Sequence, residues 1–297
     1  MPLPADHATH LEAEIFAQPL SWEIALERAA DAKLPAAGER AAVIGCGSSL
    51  NVSRAYASLR ESAGLGFTDA FPASEIPGRR RYDHMVFISR TGTTSEVLAA
   101  LRDAPAGVVT TAITADPDAP LAQESDNVVL IDYAPERSVV SSQFISTAIV
   151  TVRAHLGEDV RHLPGAAREA LARPLPDGVE EITEVSFLGA AWAAFVADEA
   201  ALKLREAAQC WAESYPALEF RHGPISVSDA GTAVWALGDI PESLAADCAR
   251  TGAMVIADGT DPLIGLIGAQ RLAVALATRK GINPDHPRSL SRSVILA

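Results

Sequence analysis

At 297 residues the chain is long enough for two domains of ordinary size or one large one. Hydrophobic residues make up 48% of it and aromatic residues 5%, a balance that suits the aliphatic, alanine-rich core of an α/β protein. The formal net charge of −14 argues against a nucleic-acid surface, which needs a basic field. Arg79, Arg80 and Arg81 form the one dense basic cluster, and three arginines in a loop read as a solvated turn.

The first stretch, "MPLPADHATHLEAEIFAQPL", is acidic and has no apolar h-region, so no signal peptide is expected over residues 1–24. No run of about 18 apolar residues follows anywhere, so no membrane span is expected. Short apolar runs of strand length then alternate with helical patterns: "AAVIG", "MVFIS", "VVTTAIT" and "NVVLI" in the first half, "VSFLG", "TAVWAL" and "MVIA" in the second. This alternation predicts parallel sheets covered by helices.

The halves resemble each other at one offset. "VIG" at Val43–Gly45 matches "FLG" at Phe187–Gly189, and "FPASEI" at Phe71–Ile76 matches "YPALEF" at Tyr215–Phe220, both 144 positions apart. Pro174 and Pro176 interrupt helical sequence within 165–178, where the boundary is expected. The reading is two similar α/β domains in tandem.

Two turns of the first half share a design: an apolar strand, a glycine-containing turn with hydroxyls, then a helix. They are "GCGSS", with Ser48 and Ser49, and "SRTGTTSEVL", with Ser89, Thr91 and Thr94. At the offset of 144, Trp192 and Ala193 replace the two serines, so only the first half is equipped for a polar ligand. Helix-start N–H groups and hydroxyls suit phosphate without a lysine. The same hydroxyls also suit plain helix caps and turns. "GCGSS" is neither a dinucleotide fingerprint nor a P-loop.

In the second half, "AWAAFVADEAALKLREAAQCWAE" is strongly helical. Asp198, Arg205 and Gln209 share one face, taken as solvent-facing, while Glu199, Lys203 and Glu206 share a stripe with Trp192, Phe195, Leu202 and Cys210. Glu199 and Lys203 read either as a surface i,i+4 pair or as buried charges kept for a purpose, a carboxylate beside a lysine being a plausible general base. His222 precedes Gly223-Pro224 on a shaped turn. No metal or cofactor site is expected: His7 and His10 alone have suggestive spacing, and Cys46, Cys210 and Cys248 show neither zinc spacing nor a disulfide framework. A reduced cytoplasm fits these thiols.

In order and spacing, "GCGSS", "SRTGTTSEVL", "EAALKLREAAQCWAESYPALEFRHGPI" and "HPRSLSRSV" resemble the sugar isomerase (SIS) family, notably the isomerase half of glucosamine-6-phosphate synthase and its stand-alone relatives. The resemblance implies two tandem flavodoxin-like SIS domains, each a parallel sheet flanked by helices, over 25–168 and 178–290, with 291–297 a tail near the active site. It implies that Ser48, Ser49, Ser89, Thr91 and Thr94, with Arg90 in the same loop, bind the phosphate of a hexose or hexosamine 6-phosphate. Val139 and Ser141 fall where the family contacts the sugar. Glu206 matches the base that moves a proton between C1 and C2, Lys203 the lysine assisting at the hydroxyls, and His222 the histidine linked to ring opening. A homodimer whose histidine enters the neighbour's site is implied as well.

Two departures stand out. The sequence shows no stretch that fits the synthase's amide-hydrolysing domain, so ammonia from glutamine is not expected. Arg292 stands where the synthase has its Schiff-base lysine, and a guanidinium cannot form that imine; it can hold a hydroxyl or an anion. The expected reaction is aldose–ketose isomerisation coupled to deamination of a 6-phosphorylated amino sugar. A fructosamine-phosphate deglycase and a simple phosphosugar isomerase use the same frame, and a non-catalytic phosphosugar sensor is the rival of another class.

Overall fold

The computed structural model describes residues 8–78 and 80–296, so His7 and Arg79 lie outside the described residues. Its elements alternate as the sequence pattern requires. Helix α1 (His10–Arg28) is followed by β1 (Ala41–Gly45), α2 (Ser48–Ser62), β2 (Thr68–Pro72), β3 (His84–Ile88), α3 (Ser95–Arg102), β4 (Val109–Thr114), α4 (Pro120–Glu124), β5 (Asn127–Leu130) and α5 (Gln143–His155). Then come α6 (Leu163–Ala172), β6 (Glu184–Gly189), α7 (Ala193–Ala208), β7 (Trp211–Pro216), β8 (Thr232–Leu237), α8 (Glu242–Arg250), β9 (Met254–Ile256) and α9 (Pro262–Arg279).

The strands form two parallel sheets, ordered β2-β1-β3-β4-β5 and β7-β6-β8-β9. The chain divides into two compact units that are not consecutive in sequence. Of the described residues, one unit comprises 17–78, 80–136, 143–164 and 291–296 and holds the five-stranded sheet; the other comprises 8–16, 137–142 and 165–290 and holds the four-stranded sheet. Val139 and Ser141 therefore group with the second sheet, and Arg292 with the first.

In the five-stranded unit β1 and β3 are buried on both faces, which is why they read as unbroken apolar runs. Ala42, Ile44, Met85, Phe87 and Ala112 pack with Val97 and Leu101 of α3 into one core cluster. In the other unit Leu188, Val234, Phe220 and Leu244 do the same.

The pair of matched segments at offset 144 has a structural basis. Ile44 pairs with Phe71 and Gly45 with Pro72; Leu188 pairs with Tyr215 and Gly189 with Pro216. "FPASEI" and "YPALEF" thus run out of β2 and β7, two strands that the apolar-run pattern does not reveal. Gly45 and Gly189 end the strands at which the next helix approaches most closely. A Cβ on Gly45 would lie 2.6 Å from the carbonyl carbon of Ser49, and one on Gly189 would meet the backbone of Ala193. Only glycine lets those helix starts sit against the strand end.

No described helix is long and apolar enough to cross a membrane.

Candidate functional site

In a sheet ordered 2-1-3-4-5, the chain leaves β1 toward opposite sides before and after β2, and ligands of open α/β sheets bind in the crevice beyond the strand ends there. The turns after β1 and β3 leave the same end of these neighbouring parallel strands. They carry Ser48 and Ser49 on one side and Ser89–Ser95 on the other. The topology itself therefore brings the two hydroxyl turns to the switch point.

Side-chain capping is sparse at these helix starts, although Thr91 Oγ1 accepts the Thr93 N–H at 3.4 Å, as a turn-forming threonine does. The N-cap of α2 is Gly47, and the N-cap of α3, Thr94, makes no side-chain cap bond. The first turn of α2 carries no acidic residue. Thr94 Oγ1 lies 3.2 Å from Ser89 Oγ across the turn. Gly92 sits at φ +62°, and a Cβ there would come within 2.6 Å of the Ala119 methyl, so the turn cannot relax outward around a side chain.

The C-terminal tail crosses this turn. Thr93 Oγ1 donates to Ser293 Oγ at 3.0 Å, the Ser95 N–H donates to the Val294 carbonyl at 3.1 Å, and the Leu296 N–H donates to Ser95 Oγ at 2.9 Å. A cavity of about 490 Å³ opens beside it, bounded by Arg90, Thr91, Thr93, Glu136, Arg292 and Ser293 among others. The Arg90 guanidinium is turned to Glu136, 2.5 Å away, and Arg292 donates to the Glu136 carbonyl at 2.6 Å. Glu136, buried and central to these contacts, was not among the residues the sequence singled out.

The charged stripe of α7 lies in the four-stranded unit. Lys203 is 1% exposed, and its Nζ is 3.2 Å from Glu199 Oε1 and 2.6 Å from Glu206 Oε2. Glu199 is equally buried, whereas the Glu206 side chain retains 19% exposure. Burial alone pushes the Lys203 pKa down, but the charges of Glu199 and Glu206 and their hydrogen bonds outweigh it, and the result is raised. The ammonium is therefore a fixed cation, paired with a carboxylate that solvent or a ligand can still reach. On the neighbouring face Arg205 and Gln209 are exposed as expected, while Asp198 is half-buried and accepts the Ser214 hydroxyl at 2.7 Å.

His222 is exposed at the end of the 3-10 turn Ala217–His222, just before Gly223 at φ +140°. In the same unit Val139 and Ser141 are half-buried, and the Val139 N–H donates to the Asp285 carbonyl at 3.1 Å. Among the described residues no three His, Cys, Asp or Glu side chains gather as a metal site.

Residues 35–153 match the model of the SIS domain. That stretch of the chain is an SIS domain. It is 31% identical over 266 residues to glutamine–fructose-6-phosphate aminotransferase (isomerizing) of Pseudomonas syringae pv. tomato, a match covering 70% of this chain and 43% of that protein. The enzyme of the same name from Symbiobacterium thermophilum is 29% identical over 269 residues, covering 71% of this chain and 44% of its own length. The chain thus spans less than half the length of these relatives. In fold, this SIS protein is similar to a glucosamine-6-phosphate deaminase from Thermotoga maritima, with a TM-score of 0.81 at 24% identity over 97% of this chain and all of the other. Tagatose-6-phosphate ketose/aldose isomerase from Escherichia coli aligns with a TM-score of 0.76 at 20% identity, over 98% of this chain and all of that one.

Proposed function

We propose that this SIS protein is an enzyme that isomerises and deaminates a 6-phosphorylated amino sugar. In this reading it comprises two SIS domains in tandem, and Ser48, Ser49, Ser89, Thr91 and Thr94 hold the phosphate. Glu206 takes the proton from the carbon beside the carbonyl or imine and returns it to the neighbouring carbon. Lys203 stabilises the enediol-like anion formed between the two steps, and His222 assists ring opening. Val139 and Ser141 contact the sugar, and Arg292 holds a hydroxyl rather than forming an imine. The working form is a cytoplasmic homodimer.

The observation that carries this reading is the α7 triad. A lysine buried between two carboxylates is poor value for stability, because desolvation offsets much of the Coulombic gain. Placed beside a carboxylate that keeps part of its exposure, the same cation is the arrangement that proton abstraction next to a carbonyl needs. A sensor that only binds has no use for it. The relatives' names and the shared fold support the substrate class.

The test is a panel of 6-phosphorylated hexosamines, fructosamines and hexoses, with ammonia, amine and ketose followed separately. Ammonia release from a hexosamine 6-phosphate, lowered about 10²–10⁴-fold by Glu206→Gln, is the expected outcome. Amine release points to a deglycase and interconversion alone to an isomerase. Binding without turnover across the panel defeats the enzymatic reading.

A further inference from the structure

Glu136 follows β5 in a loop, yet its side chain is fully buried. Each of its oxygens is committed. Oε2 accepts from Arg90 Nη1 at 2.5 Å, and Oε1 accepts the Phe144 N–H, in the first turn of α5, at 3.0 Å. Its carbonyl takes the Arg292 guanidinium of the tail. One residue thus ties together the hydroxyl turn after β3, the start of α5 and the tail, all within the five-stranded unit.

Arg90 is 9% exposed, and its backbone is held as firmly as its side chain. Its carbonyl accepts both the Thr114 hydroxyl at 3.2 Å and the Ala115 N–H at 3.0 Å. A guanidinium in contact with a buried carboxylate is close to neutral as seen from outside the pair. It offers an incoming dianion little field, although it stands in the turn whose hydroxyls would bind one. Apolar replacements of such a pair are often at least as stable, so stability alone does not account for it.

We propose that Glu136 is the positioning residue of the hydroxyl turn, with Arg90 as its brace, so that Arg90 affects a bound phosphate only through the placement of Ser89, Thr91 and Thr94. This rests on the reading of that turn as the phosphate site. It differs from the family resemblance, which puts Arg90 among the phosphate contacts.

A double-mutant cycle separates the two roles. Binding of inorganic phosphate and of glucosamine 6-phosphate is measured by calorimetry for wild type, Arg90→Met, Glu136→Gln and the double variant. Glutamine keeps the acceptor for the Phe144 N–H. Arg90→Met takes the contacting cation away from the buried Glu136 carboxylate and weakens both ligands by about tenfold or more, within the coupling expected of a contacting pair. The double variant removes both charges and recovers affinity to within about threefold of wild type, whereas a direct contact to phosphate once lost costs at least about tenfold. If Arg90→Met does not fold, the double variant decides by itself on the same thresholds. Glu136→Gln alone releases the guanidinium, and its phosphate binding then weakens more steeply with added salt than that of wild type. A double variant as weak as Arg90→Met, or an unchanged salt slope in Glu136→Gln, overturns the inference while the phosphate reading stands. Wild-type protein that binds neither ligand overturns both.

Discussion

Replacing Lys203 by methionine tests whether the α7 triad is a true buried charge cluster. The substitution keeps the length of the side chain and removes its charge. Glu206 can turn its carboxylate to water through its 19% exposure, but Glu199, at 1%, has no such exit. The cost is therefore that of taking the cation away from a buried carboxylate, about 3–5 kcal/mol. At roughly 2–4 °C per kcal/mol, Tm falls by about 6–20 °C in scanning calorimetry. Adding Glu199→Met to Lys203→Met removes that carboxylate as well, and most of the lost stability returns because an apolar pair fills the same space. The raised pKa of Lys203 gives a second signature. A base whose folded pKa exceeds its unfolded value of 10.5 contributes stability that is complete below 10.5 and disappears as pH rises through the higher folded pKa. The part of the gap that comes from the titration of Lys203 itself is therefore flat across neutral pH and is lost only in strong alkali. A Tm within about 2 °C of wild type, or a double variant no better than the single, would refute the buried-cluster account.

Three other outcomes follow from particular contacts. Gly45→Ala places a methyl 2.6 Å from the Ser49 carbonyl carbon, so α2 must shift; binding of a hexose 6-phosphate, read by calorimetry, falls by at least about tenfold while the far-ultraviolet circular dichroism is kept. His84, whose Nε2 is 2.7 Å from Thr111 Oγ1, has its pKa pushed below 6.5 chiefly by burial, and His155 is lowered for the same reason. The unfolded chain then takes up protons first, so stability is complete above pH 6.5 and is lost as pH falls from there through the folded pKa; His84→Asn flattens that acid limb in urea titrations. His222→Ala and Glu206→Gln are each nearly inactive, and refolding them together restores up to about a quarter of wild-type activity if each site of a dimer takes one residue from either chain. Mixed dimers seen by native mass spectrometry without rescue would return His222 to its own chain.

Much of this architecture was legible because parallel strands covered on both faces leave continuous apolar runs, as β1, β3 and β8 do. Strands β2 and β7, "TDAFP" and "WAESYP", escaped because they are half-exposed and carry polar residues. Their presence was audible only in the repeated Phe71-Pro72 and Tyr215-Pro216. The stripe of Glu199, Lys203 and Glu206 was readable from helical periodicity, although spacing could not say that Lys203 would be buried against both carboxylates. Glu136 gave no signal at all. It stands in an irregular segment and meets Arg90 across 46 positions, a distance over which neither period nor motif speaks. The crossing of the hydroxyl turn by Ser293, Val294 and Leu296, some 200 positions away, was equally silent.

The prolines that close β2 and β7 bear on solubility. Both strands lie at a margin of their sheets, where a row of unpaired amides can recruit a strand from another molecule. Pro72 and Pro216 sit at the last position of each, where the ring removes one donor from that row. Asp69, paired with Arg80 at 2.6 Å, and Glu213, which accepts the Tyr215 hydroxyl at 2.6 Å, add charged side chains that a recruited strand would have to accommodate. Exchanging both prolines for valine, with Asp69 and Glu213 made threonine, would turn each margin into a flat β-prone ribbon. Self-association on storage would expose that change sooner than any loss of Tm.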